Sequence, residues 1–286
     1  MNMDLIYYRG LNCHLAGIIN ITAGLGIDYR EAFSTLWSET DFNYDQKYHM
    51  YLSKRVFTNL ELLGVEMEVL ECTSPETVED SLSVVDDKEL FLVGMDSFYI
   101  PWSPVYQHFH EPHYFFAKKK QNDTFLSFDP VYGKQEIIMT AEGICHAFEL
   151  ALVRQNGENV LKPDLIHEAR QIQRGHPELR DKLLADIRAC ADAGEQDIKM
   201  LIRLITAMIN NRYLFGEYLK LSLGGPEAVP GILDKKFFLK WEAVKHGLYK
   251  VQILKNKQNI ISQAADLFRD VMEDEMVIAN QLSDMF

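Results

Sequence analysis

Three short apolar segments, His113 to Lys118, Thr124 to Phe128 and Gln135 to Met139, are separated only by turn residues at Asn122-Asp123 and Asp129-Pro130-Val131-Tyr132-Gly133. Connections that short join antiparallel neighbours, so the three segments predict a meander. What precedes the meander has a different period. Leu15, Ile18, Ile19 and Thr22-Ala23 recur at helical spacing from Asn12 to about Ile27, with Gly24 and Gly26 as the exit. A second helix is expected over Tyr48 to Leu63, its face formed by Leu52, Val56, Leu60 and Leu63 and its end capped by Gly64. Val65, Met67 and Val69 then switch the period to two. Ser74-Pro75-Glu76 reads as an N-cap, a first-turn proline and an acid at the positive end of a helix running towards Val85. A strand is expected from Leu90 to Val93. Helices followed by an antiparallel meander indicate an α+β fold.

From Thr140 onward the pattern reads as helix almost throughout. Ile198, Leu201, Ile202, Ile205, Met208 and Ile209 form one stripe, and Phe237, Trp241, Val244, Leu248 and Val251 a second. Ile260, Ile261, Ala264, Leu267, Phe268 and Val271 form a third, and stripes of this kind predict an all-α bundle. Gly224-Gly225-Pro226 and Val229-Pro230-Gly231 mark a loop between bundle helices. The pattern breaks at Gln155-Asn156-Gly157-Glu158-Asn159 and at Lys162-Pro163-Asp164, which divides the 286 residues into an expected N-terminal domain, 1–157, and a helical domain, 158–286.

A formal net charge of −13 repels phosphate backbones, and no stripe of Arg and Lys interleaved with aromatics offsets it, so nucleic acid is an unsuitable partner. The run Lys118-Lys119-Lys120 is expected at a solvated hairpin tip. No uninterrupted apolar stretch of roughly 18 residues is present, so no membrane span is expected. Met1 to Arg9 lacks the pattern of a secretory signal, and a cytoplasmic location is expected. Cys13, Cys72, Cys145 and Cys190 are far apart, which suggests neither a disulfide framework nor a zinc site.

Cys13 follows Gly10-Leu11-Asn12 and begins the first helix, where unpaired backbone N–H groups and the positive dipole end favour a thiolate. The same N–H groups can hold the oxyanion that forms when sulfur attacks a carbonyl. A lone cysteine on an apolar helix is most often structural. The meander supplies partners: His113 opens one strand and Asp129 closes the next, and a hairpin sets the start of one beside the end of the other. A histidine and an aspartate there could otherwise be exposed edge groups. With the cysteine they compose a nucleophile, an acid/base and a carboxylate that fixes the imidazole tautomer.

His108, His110 and His113, with Glu111 among them, form a compact cluster, but Pro112 breaks the alternation and no second ligand cluster is evident, so neither a metal nor another cofactor is expected. Asp96, Tyr99 and Trp102 follow a predicted strand and are candidates for lining a substrate pocket, with ordinary loop packing as the alternative. Cys72 and Cys145 are assigned to structure.

The run Leu92-Val93-Gly94-Met95-Asp96-Ser97-Phe98-Tyr99-Ile100-Pro101-Trp102, with His113-Tyr114-Phe115-Phe116 and Phe128-Asp129-Pro130, resembles the N-terminal domain family of butirosin-biosynthesis protein H. That family is papain-like and related to the bacteriocin-leader cysteine peptidases, and the resemblance covers roughly residues 5–150. It implies a cytoplasmic acyltransferase of antibiotic or other natural-product biosynthesis. Cys13 would take an acyl group from an acyl-carrier-protein or coenzyme A thioester and pass it to an amine or hydroxyl of a small molecule. His113 would be the general acid/base and Asp129 its orienting group. Many papain-like enzymes carry a glutamine shortly before the nucleophile, whereas this chain has Tyr7-Tyr8-Arg9, so Asn12 or a backbone N–H would complete the oxyanion hole. Peptide or amide hydrolysis by the same residues is the first alternative, and a non-catalytic binding module of the same fold the second. An acidic carrier protein would need local cations, for which Arg203, Arg212, Lys220, Lys235 and Lys236 are candidates.

Overall fold

The computed structural model describes residues 4–45, 50–70, 72–120, 124–223, 235–254 and 257–285. The fold is mixed α+β, with a six-stranded antiparallel sheet early in the chain and most of the helix in the C-terminal part. Contacts divide the chain into two compact units, one of residues 1–29 with 60–160 and the other of residues 30–59 with 161–286. No helix among the described residues is long and apolar enough to cross a membrane.

The first unit opens with α1 (Cys13–Gly24), buried from His14 to Thr22. Its sheet has the order β3 (Val65–Leu70), β8 (Ala147–Gln155), β4 (Leu90–Asp96), β5 (Pro112–Lys119), β6 (Thr124–Asp129) and β7 (Lys134–Thr140). The strands β5, β6 and β7 pair in sequence order as the meander requires, although the expected turn at Asn122-Asp123 lies outside the described residues. Helix α1 packs on β4, β5 and β8, and Gly17 makes that approach possible because a Cβ there would lie 2.3 Å from Leu92 Cδ1. A second core joins Phe91, Val93, Met95, Phe115 and Leu152 to Val78 and Leu82 of α3 (Pro75–Ser83). That helix starts at a capping box of Ser74 and Thr77.

β8 corrects the expectation of helix beyond Thr140. Its sequence, Ala-Phe-Glu-Leu-Ala-Leu-Val-Arg-Gln, contains good helix formers, yet it is a central strand. Ala151 and Leu152 are both buried, so the half-buried alternation that marks a strand is missing. Between it and β7 lies only the short α4 (Ala141–Ile144).

The expected helix over Tyr48 to Leu63 is shorter in the structure. β1 (Phe42–Asp45) and β2 (Met50–Ser53) form a hairpin, and α2 spans Lys54–Leu62; Tyr48 and His49 lie outside the described residues. The hairpin belongs to the second unit, which is therefore not all-helical. Buried groups explain the assignment of residues 30–59: Trp37 packs its ring on Phe215. Ser38 donates its N–H and hydroxyl to Glu168 at 2.6 and 2.8 Å, and Glu39 accepts from Asn211 at 2.7 Å. The chain thus passes between the units more than once, where a single break near residue 157 was expected.

The four long helices of the second unit are α5 (Leu165–Ala189), α6 (Glu195–Ser222), α7 (Lys235–Ile253) and α8 (Lys257–Met285). α8 packs against α5 and α7, and α6 against α7 and β2. The three apolar stripes face the interior, with Ile260 and Leu267 at the margin. The glycine- and proline-rich loop at 224–231 lies outside the described residues. Arg212, expected among surface cations, is fully buried and clasps Glu275 through Nε and Nη2 at 2.9 and 3.0 Å. Trp241 Nε1 donates to the same carboxylate at 3.0 Å. His176 is 3.3 Å from Glu275 without hydrogen-bond geometry, and burial holds its pKa down to about 4 with Arg212 adding to the effect and Glu275 opposing it.

Two outcomes follow from these contacts. A Cβ at Gly94 would meet Tyr114 Cε1 at 2.6 Å and Phe148 Cε2 at 2.8 Å. Gly94→Ala is expected to cost about 1–3 kcal/mol in urea unfolding. His176 has a folded pKa below the ordinary value of 6.5, so its contribution is intact above pH 6.5 and is lost as pH falls towards about 4. His176→Leu should remove about 2–3 kcal/mol of that acid sensitivity, read as the change in unfolding free energy between pH 7 and pH 4.

Candidate active site

The nucleophile position is set by a compact turn. Leu11 N–H donates to Tyr8 C=O at 3.2 Å, and Gly10 adopts φ of 98°, a conformation that favours glycine. Asn12 then caps α1 by accepting from Leu15 N–H at 2.8 Å, which leaves the half-buried Cys13 as the first helical residue. Its own N–H is among the four that a helix cannot satisfy internally.

The acid/base pair comes from the meander. β5 and β6 pair Phe116 with Phe128, and extending that register by one step sets Asp129 opposite Phe115. His113 is then its diagonal neighbour on the same face. His113 Nε2 lies 2.8 Å from Asp129 Oδ2, with His113 5% and Asp129 0% exposed. Trp102 Nε1 donates to the same oxygen at 2.8 Å, while Val131 and Tyr132 N–H donate to Oδ1 at 3.0 and 3.1 Å. The Asp-Pro-x-x-Gly turn supplies those two amides, and a bulge between Ser127 and Asp129 turns the strand end towards them.

His113 also hydrogen-bonds Cys13 and stacks on Tyr132, ring centroids 4.7 Å apart. Since Nε2 is engaged by the carboxylate, Nδ1 is the nitrogen left for sulfur. Burial disfavours the imidazolium, but the hydrogen bonds and charges of Asp129 and Cys13 outweigh it and raise the pKa to about 9. A charged imidazole at neutral pH is the neighbour that a nucleophilic thiolate requires.

The structure therefore brings Cys13, His113 and Asp129 together. The expected pocket residues have defined partners. Asn12 turns its side-chain carbonyl onto the helix, as a cap. Asp96 accepts from Phe98 and Glu111 N–H at 3.0 and 3.2 Å and holds His110 Nδ1 at 2.6 Å, which pins the loop before β5. Although burial opposes it, these donors and His110 keep the Asp96 carboxyl below its ordinary pKa. Tyr99 is stacked on His146 at 3.9 Å and is partly exposed. Trp102 braces Asp129 through its indole N–H. Within the histidine cluster, His110 pairs with Asp96 and His113 with Asp129, and no group of His, Cys, Asp and Glu suited to a metal occurs among the described residues.

Two residues beside the centre carried no sequence signal strong enough to single them out. Tyr132, whose hydroxyl hydrogen-bonds Ser103, covers the imidazole, and its position three residues after Asp129 was the available cue. Tyr7 lies in the electrostatic field of Cys13 and Asp129. The chain matches no protein-family model, and no curated protein matches it.

The sign of the His113 shift gives a test. Its folded pKa of about 9 exceeds 6.5, so the stability it contributes is complete below pH 6.5 and is lost as pH rises through about 9. Asp129→Asn sets an amide N–H₂ against the Trp102 and His113 donors and should cost about 2–4 kcal/mol at neutral pH. The deficit relative to wild type should shrink between pH 7 and pH 9.5 in urea titrations; a pH-independent deficit would remove the ion pair as its source.

Proposed function

We propose that the first unit is a papain-like acyltransferase domain that carries an acyl group on Cys13. The observation supporting this most directly is the continuous chain from the Cys13 sulfur through the His113 imidazole to the fully buried Asp129 carboxylate. The resemblance to the butirosin-biosynthesis protein H family supplies the substrate class, a thioester donor on an acyl carrier protein or coenzyme A and an amine or hydroxyl acceptor.

In this reading the Cys13 thiolate attacks the donor carbonyl carbon. An S–C bond forms and the carbonyl π electrons move to oxygen. Collapse of that intermediate breaks the donor C–S bond, and the departing sulfur takes the proton of the His113 imidazolium. The neutral imidazole then removes a proton from the acceptor amine or hydroxyl as it attacks the Cys13 thioester. Release of the acylated product returns the electron pair to sulfur and restores the ion pair. Asp129, held by four donors, keeps Nε2 engaged and Nδ1 directed at the reacting atoms throughout.

Intact-protein mass spectrometry after incubation with acylated carrier protein, acetyl-CoA or generic peptides tests the proposal. An acyl adduct is expected on wild type and Cys72→Ala but not on Cys13→Ala, with His113→Ala slowing its formation by about 10²–10⁴-fold. Peptide cleavage without an adduct from either thioester would replace transfer by hydrolysis. A Cys13 thiol that alkylates no faster than Cys190 would overturn the catalytic reading.

A further inference from the structure

The second unit contains an opening that its bundle does not fill. α5 and α6 are joined by a short turn, but α5 packs against α8, and α6 against α7 and β2. Helices drawn to different partners leave a gap beside their shared turn, and Ala189 and Ala193 carry only methyl groups into it. The result is a cavity of about 370 Å³, at the lower end of the sizes that hold small molecules.

Its lining sorts by chemistry. Asp197, Leu201 and Leu204 recur at helical spacing along one face of α6, so a carboxylate adjoins an apolar floor that Met200 extends. Leu201 is buried, whereas Asp197 and Asp186 of α5 are exposed at the rim. Tyr51 of β2 contributes an aromatic wall. Arg203, on the same helix as the floor, donates instead to the Tyr44 hydroxyl at 2.6 Å.

The two carboxylates have different explanations. Asp197 lies in the first turn of α6, where the positive end of a helix favours an acid. Asp186 lies in the final turn of α5, where the negative end disfavours one, and Arg188 two positions on does not share its face. Among the described residues neither carboxylate is in an ion pair. Both act on the buried Cys190 thiol, which donates to Asp186 C=O at 3.4 Å: burial first and Asp186 next raise its pKa, Lys257 opposes them and Asp197 adds to the rise.

We propose that this cavity binds a primary alkylamine, its ammonium group held by Asp186 and Asp197 and its hydrocarbon chain laid on Leu201, Leu204 and the Tyr51 ring. Such a ligand uses both halves of the lining. A bare metal ion would leave the floor wet, and a neutral hydrocarbon would leave two carboxylates unanswered. An ammonium also suits an aromatic wall. The site does not depend on the function of the first unit.

Isothermal titration calorimetry of the full chain at neutral pH, with n-hexylamine and n-hexanol as probes and no thioester present, tests the proposal. The amine should bind saturably, and the alcohol at least about tenfold more weakly. Asp186→Asn should lower amine affinity by about tenfold. Ala189→Leu, which puts a good helix former into the open space, should abolish saturable binding. Both positions are exposed, so both variants should keep the fold, as circular dichroism would show. Equal affinity for amine and alcohol would overturn the proposal, because the carboxylates would then play no part in recognition. Affinity indifferent to both substitutions would do the same, since it would place the amine elsewhere on a chain of net charge −13. No saturable binding of n-hexylamine below about 10 mM would also overturn it.

Discussion

A carboxylate without exposed surface cannot be left short of donors, and the geometry of the first unit follows from how Asp129 is satisfied. Its four hydrogen bonds come from three directions: the indole of Trp102, the imidazole at the start of β5 and two amides of the turn after β6. Each donor is held by something else. Asp96 pins the loop that carries Trp102, the β5–β6 register fixes His113, and the bulge orients the turn. Removing any one leaves the buried carboxylate a donor short, which weakens its satisfaction by about 1–3 kcal/mol. The rigidity which positions the imidazole is therefore the same rigidity that stabilises this end of the sheet.

The centre was readable because its parts obey local rules. A cysteine behind an asparagine cap and a glycine turn must start a helix, and a hairpin must bring His113 near Asp129. The partners of Asn12, Asp96 and Trp102 were not legible for a corresponding reason: each has a polar group whose destination depends on tertiary neighbours. The largest miss, β8, has no local signature, because a strand covered on both faces loses its alternation and a run such as Ala147–Gln155 favours helix by propensity. Residues 30–59 were misplaced for the same cause. Ser38, Glu39 and Trp37 look like ordinary loop residues until Glu168, Asn211 and Phe215 are brought to them.

The second unit uses buried charge differently. Arg212, Glu275 and Trp241 form a satisfied cluster inside an otherwise apolar bundle, while His176 stays neutral beside it. Burial opposes the Glu275 carboxylate, yet Arg212 and its neighbours outweigh that cost and hold its pKa below the ordinary range. An apolar core of equal volume could be as stable, so the cluster's distinctive effect is on register: α6, α7 and α8 can slide relative to one another only by breaking it.

The placement of β8 has a consequence for synthesis. It is the last strand of the sheet in chain order, yet it lies between β3 and β4. Until residue 155 has been made, β3 lacks its pairing partner and β4 has an open edge. The emerging chain therefore displays unpaired backbone where its interior will later be, and the sheet beneath α1 closes only when a segment some 130 residues beyond that helix arrives.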